Sequence, residues 1–396
     1  MSLLSQVGAV TAMNLRNLPQ RAASSAVAVV GVAGVTLVLV AVLSIAEGFR
    51  AALELSGSED VAIVLRSGST DELTSGLQQG SVPVIADAPG VARLPDGAPV
   101  VSPELYVVVD VPIRGKGSAA NAPLRGVGPL AAQIRRELRV VEGRMFQPGT
   151  SEVIVGDGAA QQYAGLEVGR TVRWGTTTWT IVGRFTDGGG VAESEIWSDA
   201  RVLQQAYNRG SLFQSLRVRL ESAAAFGRFR DALAADPRLS VRVEREQAFY
   251  AEQSAFLRSL VTSAGWTIAA MMGVGAVFAA LNTLYNAVSS RVREIATLRA
   301  IGFGAMPVLV SVLVEAMLLG LAGGLIGGLA AYLTLNGLRS STLNWQNFSQ
   351  ITFAFTVTPR LVASGMLYGL LLTLLGGLLP GWRAARAPIT AGLRAT

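Results

Sequence analysis

The stretch Arg291-Val-Arg-Glu-Ile-Ala-Thr-Leu-Arg-Ala-Ile-Gly302 is a charged island between two long uncharged segments, and its reading decides the fold. Three arginines and a glutamate in twelve residues do not remain in hydrocarbon, where each charge costs roughly 2.5 to 3.5 kcal/mol even on insertion scales. The island therefore stands on one side of a membrane. Excess arginine in a short loop between spans marks the cytoplasmic side.

Working outward, Ser259 to Ser290 is an uncharged run longer than a bilayer requires. Phe249, Gln253, Phe256, Leu257 and Leu260 precede or enter it at helical spacing, which predicts one continuous helix rising from the membrane as a stalk. After the island, Ala300 to Leu338 holds Glu315 as its single charge. An acid at that depth reads either as a proton-relay group or as a buried structural carboxylate. Gly320, Gly324 and Gly328 recur every fourth residue with Gly323 and Gly327 beside them, a pattern that lets helix backbones approach closely in lipid. Leu361 to Trp382 is the last uncharged run, closed by Arg383, Arg386 and Arg394. Near the other end, Arg16 and Arg21 precede Ala22 to Ala46, long enough to span and longer than the apolar region of a signal peptide.

The expected fold class is a multi-pass α-helical membrane protein of four spans with a large mixed α/β extracytoplasmic domain between the first two. The expected boundaries are a cytoplasmic segment 1–21, span 22–46, exported domain 47–258, span with stalk 259–290 and cytoplasmic coupling segment 291–304. A third span 305–338, an exported loop 339–360 with interfacial Trp345 and Phe348, a fourth span 361–382 and a cytoplasmic tail 383–396 complete it. The formal net charge of +6 does not indicate a nucleic-acid partner, because residues 47–258 carry slightly more acids than bases and the surplus arginines flank the spans.

Within the exported segment, alternation from Leu105 to Ile113 reads as a strand, as do Glu152–Gly156, Thr171–Trp174 and Trp179–Phe185. Leu216–Leu220 alternates with Arg217 and Arg219 and opens a strand, helix, strand unit. Gly115 to Gly128, rich in small residues, reads as a loop or junction. The chain has neither cysteine nor histidine, which excludes disulfides, thiol nucleophiles, Ser-His-Asp triads and His or Cys metal sites. Its single lysine, Lys116, lacks the spacing of a Walker loop, so no nucleotide site is encoded. Asp187 with Gly188 to Gly190, Glu193 and Glu195 reads as a solvated hairpin turn rather than an oxygen-ligand metal loop. Catalytic, cofactor and metal residues are accordingly expected to be absent.

The chain resembles the MacB and FtsX-like permeases of ABC transporters, the mechanotransmission or type VII systems. Glu142-Gly143-Arg144-Met145-Phe146, Glu152–Gly156, Val168-Gly169 and Trp179–Gly183 look like that family's periplasmic core domain. Arg293 to Gly302 looks like its cytoplasmic signature, and Glu315-Ala316 with the paired glycines like the start of its third span. The resemblance implies a dimer of permease copies, homo- or heterodimeric, on a pair of cytoplasmic ATPase subunits that bind ATP and magnesium, in the bacterial inner membrane. It also implies a possible periplasmic adaptor or substrate protein. With about 21 residues before the first span, the ATPase is expected as a separate chain. Arg291, Arg293, Glu294 and Arg299 then offer charged groups to that partner, Ile295, Leu298 and Ile301 apolar knobs, and Gly302 a stop.

Two functions follow from the resemblance: ATP-driven export or extraction of a lipoprotein, lipid, peptide or drug-like substrate, and a non-transporting transducer that activates a cell-wall hydrolase. A membrane-anchored enzyme using a carboxylate pair among Glu193, Glu195 and Asp199 is the least supported.

Overall fold

The computed structural model describes residues 6–8, 10–12, 22–54, 56–115, 117–344 and 349–388, without the side chains at 24, 254, 256, 257, 342–344, 349 and 350. Arg16, Arg21, Lys116, Trp345, Phe348 and Arg394, and the side chain of Phe256, lie outside the described residues. In chain order come α1 (Ala22–Glu54), β1 (Val61–Arg66), β2 (Leu77–Gln78), α2 (Ser81–Ala86), β3 (Val101–Pro112), β4 (Ala119–Val127), α3 (Ala131–Ile134), β5 (Leu138–Gly143) and β6 (Glu152–Gly156). There follow α4 (Asp157–Gln162), β7 (Thr171–Trp174), β8 (Thr177–Asp187), β9 (Ile196–Asp199), α5 (Ala200–Ala206), β10 (Leu212–Phe213), β11 (Ser215–Arg219), α6 (Phe226–Ala235) and β12 (Val241–Arg245). The chain closes with α7 (Glu246–Ser289), α8 (Val292–Ala300), α9 (Ala305–Leu335), β13 (Arg339–Asn344), β14 (Ser349–Ala354) and α10 (Pro359–Arg386).

Two units divide the chain. The mixed α/β unit, Gly48–Arg258 with Arg339–Ala354, is built on one sheet in the order β12-β1-β11-β3-β4-β9-β6-β8-β5, with β7 also paired to β8. Strand β3 is the organising member. Its first residues pair with β11, Val101↔Val218 to Glu104↔Ser215, and its remainder with β4, Leu105↔Gly126 to Pro112↔Ala119. Each half faces its own core. Val107, Leu124, Val153, Trp179 and Ile196 fill one, and Val64, Ile85, Leu216, Phe229 and Leu233 the other.

The segment expected as a loop, Gly115 to Gly128, instead contains β4. Its small residues serve contact rather than flexibility: a Cβ on Gly126 would stand 2.7 Å from Ala200 Cα, so glycine is what lets α5 lie against the strand. Pro123 is tolerated because pairing to β9 begins one residue later, at Leu124↔Ile196. The turn expected at Asp187 to Glu195 is likewise not solvated, since Asp187, Glu193 and Glu195 are all buried. Helix α1 outlasts the uncharged run and continues to Glu54, because Ala51, Ala52 and Leu53 favour helix and Arg50 pairs with Glu54 one turn on.

The other unit, Met1–Glu47, Ser259–Leu338 and Phe355–Thr396, is helical. Among the described residues, four helices, α1, α7, α9 and α10, are long and apolar enough to cross a membrane. The glycines of α9 resolve into two stripes. A Cβ on Gly323 or Gly327 would stand 2.8 Å from Val29 O or 2.3 Å from Ala33 O, so this stripe admits α1. A Cβ on Gly320, Gly324 or Gly328 would stand 2.2 Å from Thr373 Oγ1, 2.9 Å from Met366 Cα or 2.7 Å from Val362 Cγ1, so the second stripe admits α10.

Gly327→Ala should therefore force α1 from its seat and destabilise the protein by about 1 to 3 kcal/mol, the usual cost of overpacking. Gly34→Ala, on α1 with nothing within 4 Å of the added Cβ, should be neutral. Thermal unfolding in detergent, followed by size-exclusion chromatography of the heated protein, separates the two.

Candidate functional site

Arg217 and Arg219 alternate with apolar residues on β11. The structure places Arg217 fully buried, at the junction where β3 passes from one core to the other. Around it gather Arg125 of β4, Glu104 of β3, Glu72 from the β1–β2 connection, Glu195 just before β9, Arg135 after α3, and Glu246 and Tyr250 from the first turns of α7.

Arg125 uses all five of its donors. Nη1 and Nη2 donate to Glu72 Oε1 and Oε2 at 2.8 and 2.9 Å, Nε and Nη2 to Glu195 Oε2 and Oε1 at 2.8 Å each, and Nη1 to Glu104 Oε2 at 3.0 Å. Its guanidinium also lies 4.9 Å from the Tyr106 ring centre. Arg217 donates from Nε to Glu246 Oε1 at 2.7 Å, from Nη1 to Glu72 at 3.1 Å and to Glu104, and from Nη2 to Tyr250 Oη at 3.0 Å. Arg135 reaches both oxygens of Glu104, at 3.2 and 3.4 Å, and lies 4.5 Å from the Trp197 ring, whose Nε1 donates to Glu195.

Burial alone would lift the Glu72 carboxyl, but Arg125 and Arg217, with hydrogen bonds from Arg125 and Ser215, hold it well below the usual carboxylate range. Glu104 behaves alike: desolvation is outweighed by Arg135, Arg217 and Arg125, with Glu72 opposing them. Asp187 goes the other way. Burial pushes it up to about 7, Arg135 resists, and Glu246, Glu193 and Glu195 add to the rise. It lines a cavity of about 190 Å³ with Ser58, Arg135, Glu137 and Glu246.

The three acids considered as a catalytic set do separate structural work. Glu193 accepts from the backbone amides of Asp187 and Gly189 at 2.9 and 2.8 Å, Glu195 is committed to Arg125, and Asp199 caps α5 through the amides of Arg201 and Val202.

In the helical unit, the island forms α8 and ends at Gly302, whose φ of +104° glycine alone adopts without strain. Arg293 and Glu294 are exposed, and Ile301 is 71% exposed. The other residues expected to meet the partner are less exposed. Arg291 is buried and pairs with the buried Glu315, Nη1 to Oε2 at 3.5 Å, because a cation beside an apolar span is held best by an acid reaching it from α9. Ile295 and Leu298 turn inward to a small cavity shared with Val10, Leu284 and Val308. Arg299 donates to the Ala387 carbonyl. Of the stalk positions, Phe249 is buried edge-on to Tyr250, and Leu260 is exposed.

Sequence reasoning missed Arg125, Arg135, Arg217, Glu72 and Glu104. The available signal was an arginine within a strand of otherwise apolar or small residues, Arg125 in β4 and Arg217 in β11.

Residues 25–236 match the family model described as MacB-like periplasmic core domain, and residues 266–389 that described as FtsX-like permease C-terminal. Among solved structures, the periplasmic region of MacB from Actinobacillus actinomycetemcomitans is 14% identical, covering 49% of this chain and 92% of that one, with a TM-score of 0.37. The extracellular domain of the noncanonic ABC-type transporter YknZ from Gram-positive bacteria is 16% identical, covering 47% of this chain and 100% of that one, at 0.36. A domain of a putative permease protein from Porphyromonas gingivalis is 12% identical, covering 47% and 87%, at 0.31. No curated protein matches the chain.

Two outcomes test the junction. Arg217→Met removes the cation from Glu72, Glu104 and Glu246 at once and should destabilise the protein by about 3 to 5 kcal/mol in thermal unfolding. Asp187 has a folded value above its unfolded one, so its protonated form contributes stability in full below about pH 4, lost as pH rises through about 7. Asp187→Asn, neutral throughout, should melt with the parent near pH 4 and above it at neutral pH, the gap widening between those limits. Parallel melting curves would refute the assignment.

Proposed function

The chain belongs to the family of MacB/FtsX-like ABC transporter permeases, and from that premise we propose that it is the membrane subunit through which an ATPase partner moves an extracytoplasmic domain to export or extract a substrate at the cell envelope. Permeases of this family work with an ABC ATPase. In our reading ATP and magnesium sit on that partner and this chain supplies no catalytic group. A second permease copy completes the assembly in the bacterial inner membrane, and a periplasmic adaptor or substrate protein meets the exported domain.

The observation that carries the reading is where α7 begins. Glu246 and Tyr250, on its first turns, are bound by Arg217 to the strands of both cores. The same helix runs 44 residues, about 66 Å, and ends at Ser289, three residues before α8 starts at Val292. A displacement of α8 by its partner is then carried along one helix to a junction where Arg217 ties Glu246 and Tyr250 to Glu72 and Glu104. Arg293, Glu294 and Ile301 are the exposed groups of α8 best suited to receive that displacement, two as charged hydrogen-bonding groups and one as an apolar contact.

In the reconstituted complex, replacing Arg293, Glu294 and Ile301 together by alanine should abolish stimulation of the partner's ATP hydrolysis by this subunit while leaving the melting temperature of the permease unchanged. Full stimulation by the triple variant would overturn the role given to α8.

A further inference from the structure

We propose that the cleft between α2, the end of β4 and the start of α5 binds a single-chain amphiphilic anion, its hydrocarbon against proline walls and its acidic group on Arg201. The cleft encloses about 420 Å³, within the size range of small-molecule sites. Its buried floor is Val127, Ala200 and Phe213. Pro103, Pro129 and Pro148 form its walls.

The backbone decides which occupant fits. The three prolines have no N–H to offer. The Gly128 amide is taken by Ser102 Oγ at 3.0 Å, Gly149 by Asp199 Oδ2 at 3.2 Å, Gln79 by the Ser211 carbonyl at 3.1 Å and Val82 by the Gln79 carbonyl at 3.1 Å. A peptide entering the cleft would find none of these amides free, so each carbonyl it buried against them would go unmet, at about 1 to 3 kcal/mol each. A hydrocarbon chain carries no such groups.

The rim sets the charge. The Asp199 carboxylate is engaged by three amides, those of Gly149, Arg201 and Val202. The exposed Arg201 guanidinium has no acidic partner among the described residues. An apolar cavity with one available cation at its mouth is complementary to a chain ending in a carboxylate or phosphate.

The test uses the full-length protein in phosphatidylcholine nanodiscs, without an ATPase, so its result is independent of the coupling reading. A diazirine-bearing dodecanoic acid is photolysed on the protein, and adducts are mapped by peptide mass spectrometry. Adducts are expected on the peptides carrying Pro148 and Phe213, competed away by unlabelled dodecanoic acid. Pro148→Trp, which fills the mouth from an exposed position, should abolish them, and Arg201→Gln should reduce them about threefold. The corresponding dodecanol probe should label these peptides weakly in the parent. Adducts confined to the apolar helices, labelling unchanged in both variants, or equal labelling by acid and alcohol would overturn the proposal.

Discussion

Arg125 sets the terms on which the exported domain folds. A guanidinium taken out of water costs several kcal/mol unless its donors are met, and here two glutamates meet it bidentately and a third closes the set. Those three acids come from the β1–β2 connection, from β3 and from the approach to β9, so satisfying one side chain fixes three distant pieces of chain. Arg217 and Arg135 extend the same condition to β11, α7 and α3. An apolar junction of similar volume would be as stable or more so; what ionic pairing adds is that a misaligned register leaves a buried charge unmet.

The parts legible in the sequence were those with a long period and a simple physical rule. Charge exclusion from lipid placed the four apolar helices, and a four-residue glycine repeat marked α9 as a packing element. The junction was not legible, because Arg217 at an alternate strand position looks the same whether its face meets water or a second core. Arg125 was hidden differently. It sits among alanine, proline and glycine, a composition that reads as loop until β3 and β9 are seen on either side. On the island, residue type identified donors and apolar knobs but not their direction, which depends on how α8 turns relative to α7 and α9. Arg291 is therefore buried against Glu315, while Ile295 and Leu298 are half-buried beside a small cavity.

Both units use the same economy of close approach. In the helical unit, absent side chains let α1 and α10 seat on adjacent stripes of α9; in the other, Gly126 does the same for α5 on β4. The buried Arg291 and Glu315 pair is the counterpart of the Arg125 cluster, a charge kept away from water only because an opposite one is held within reach.

The pairing of β1 has a consequence for biogenesis. Its neighbours are β11 and β12, with Ile63 opposite Arg217 and Glu244, so the strand made first is joined by strands made last. Contacts so far apart in sequence form slowly, since the loop must close before any pairing rewards it. During synthesis Val61–Arg66, apolar over five of its six residues, is without these partners until nearly the whole sheet has been made. The interval ends with β12, the strand directly before α7. Completion of the sheet is in this way tied to its last long-range strand, and β1 is the edge left open until then.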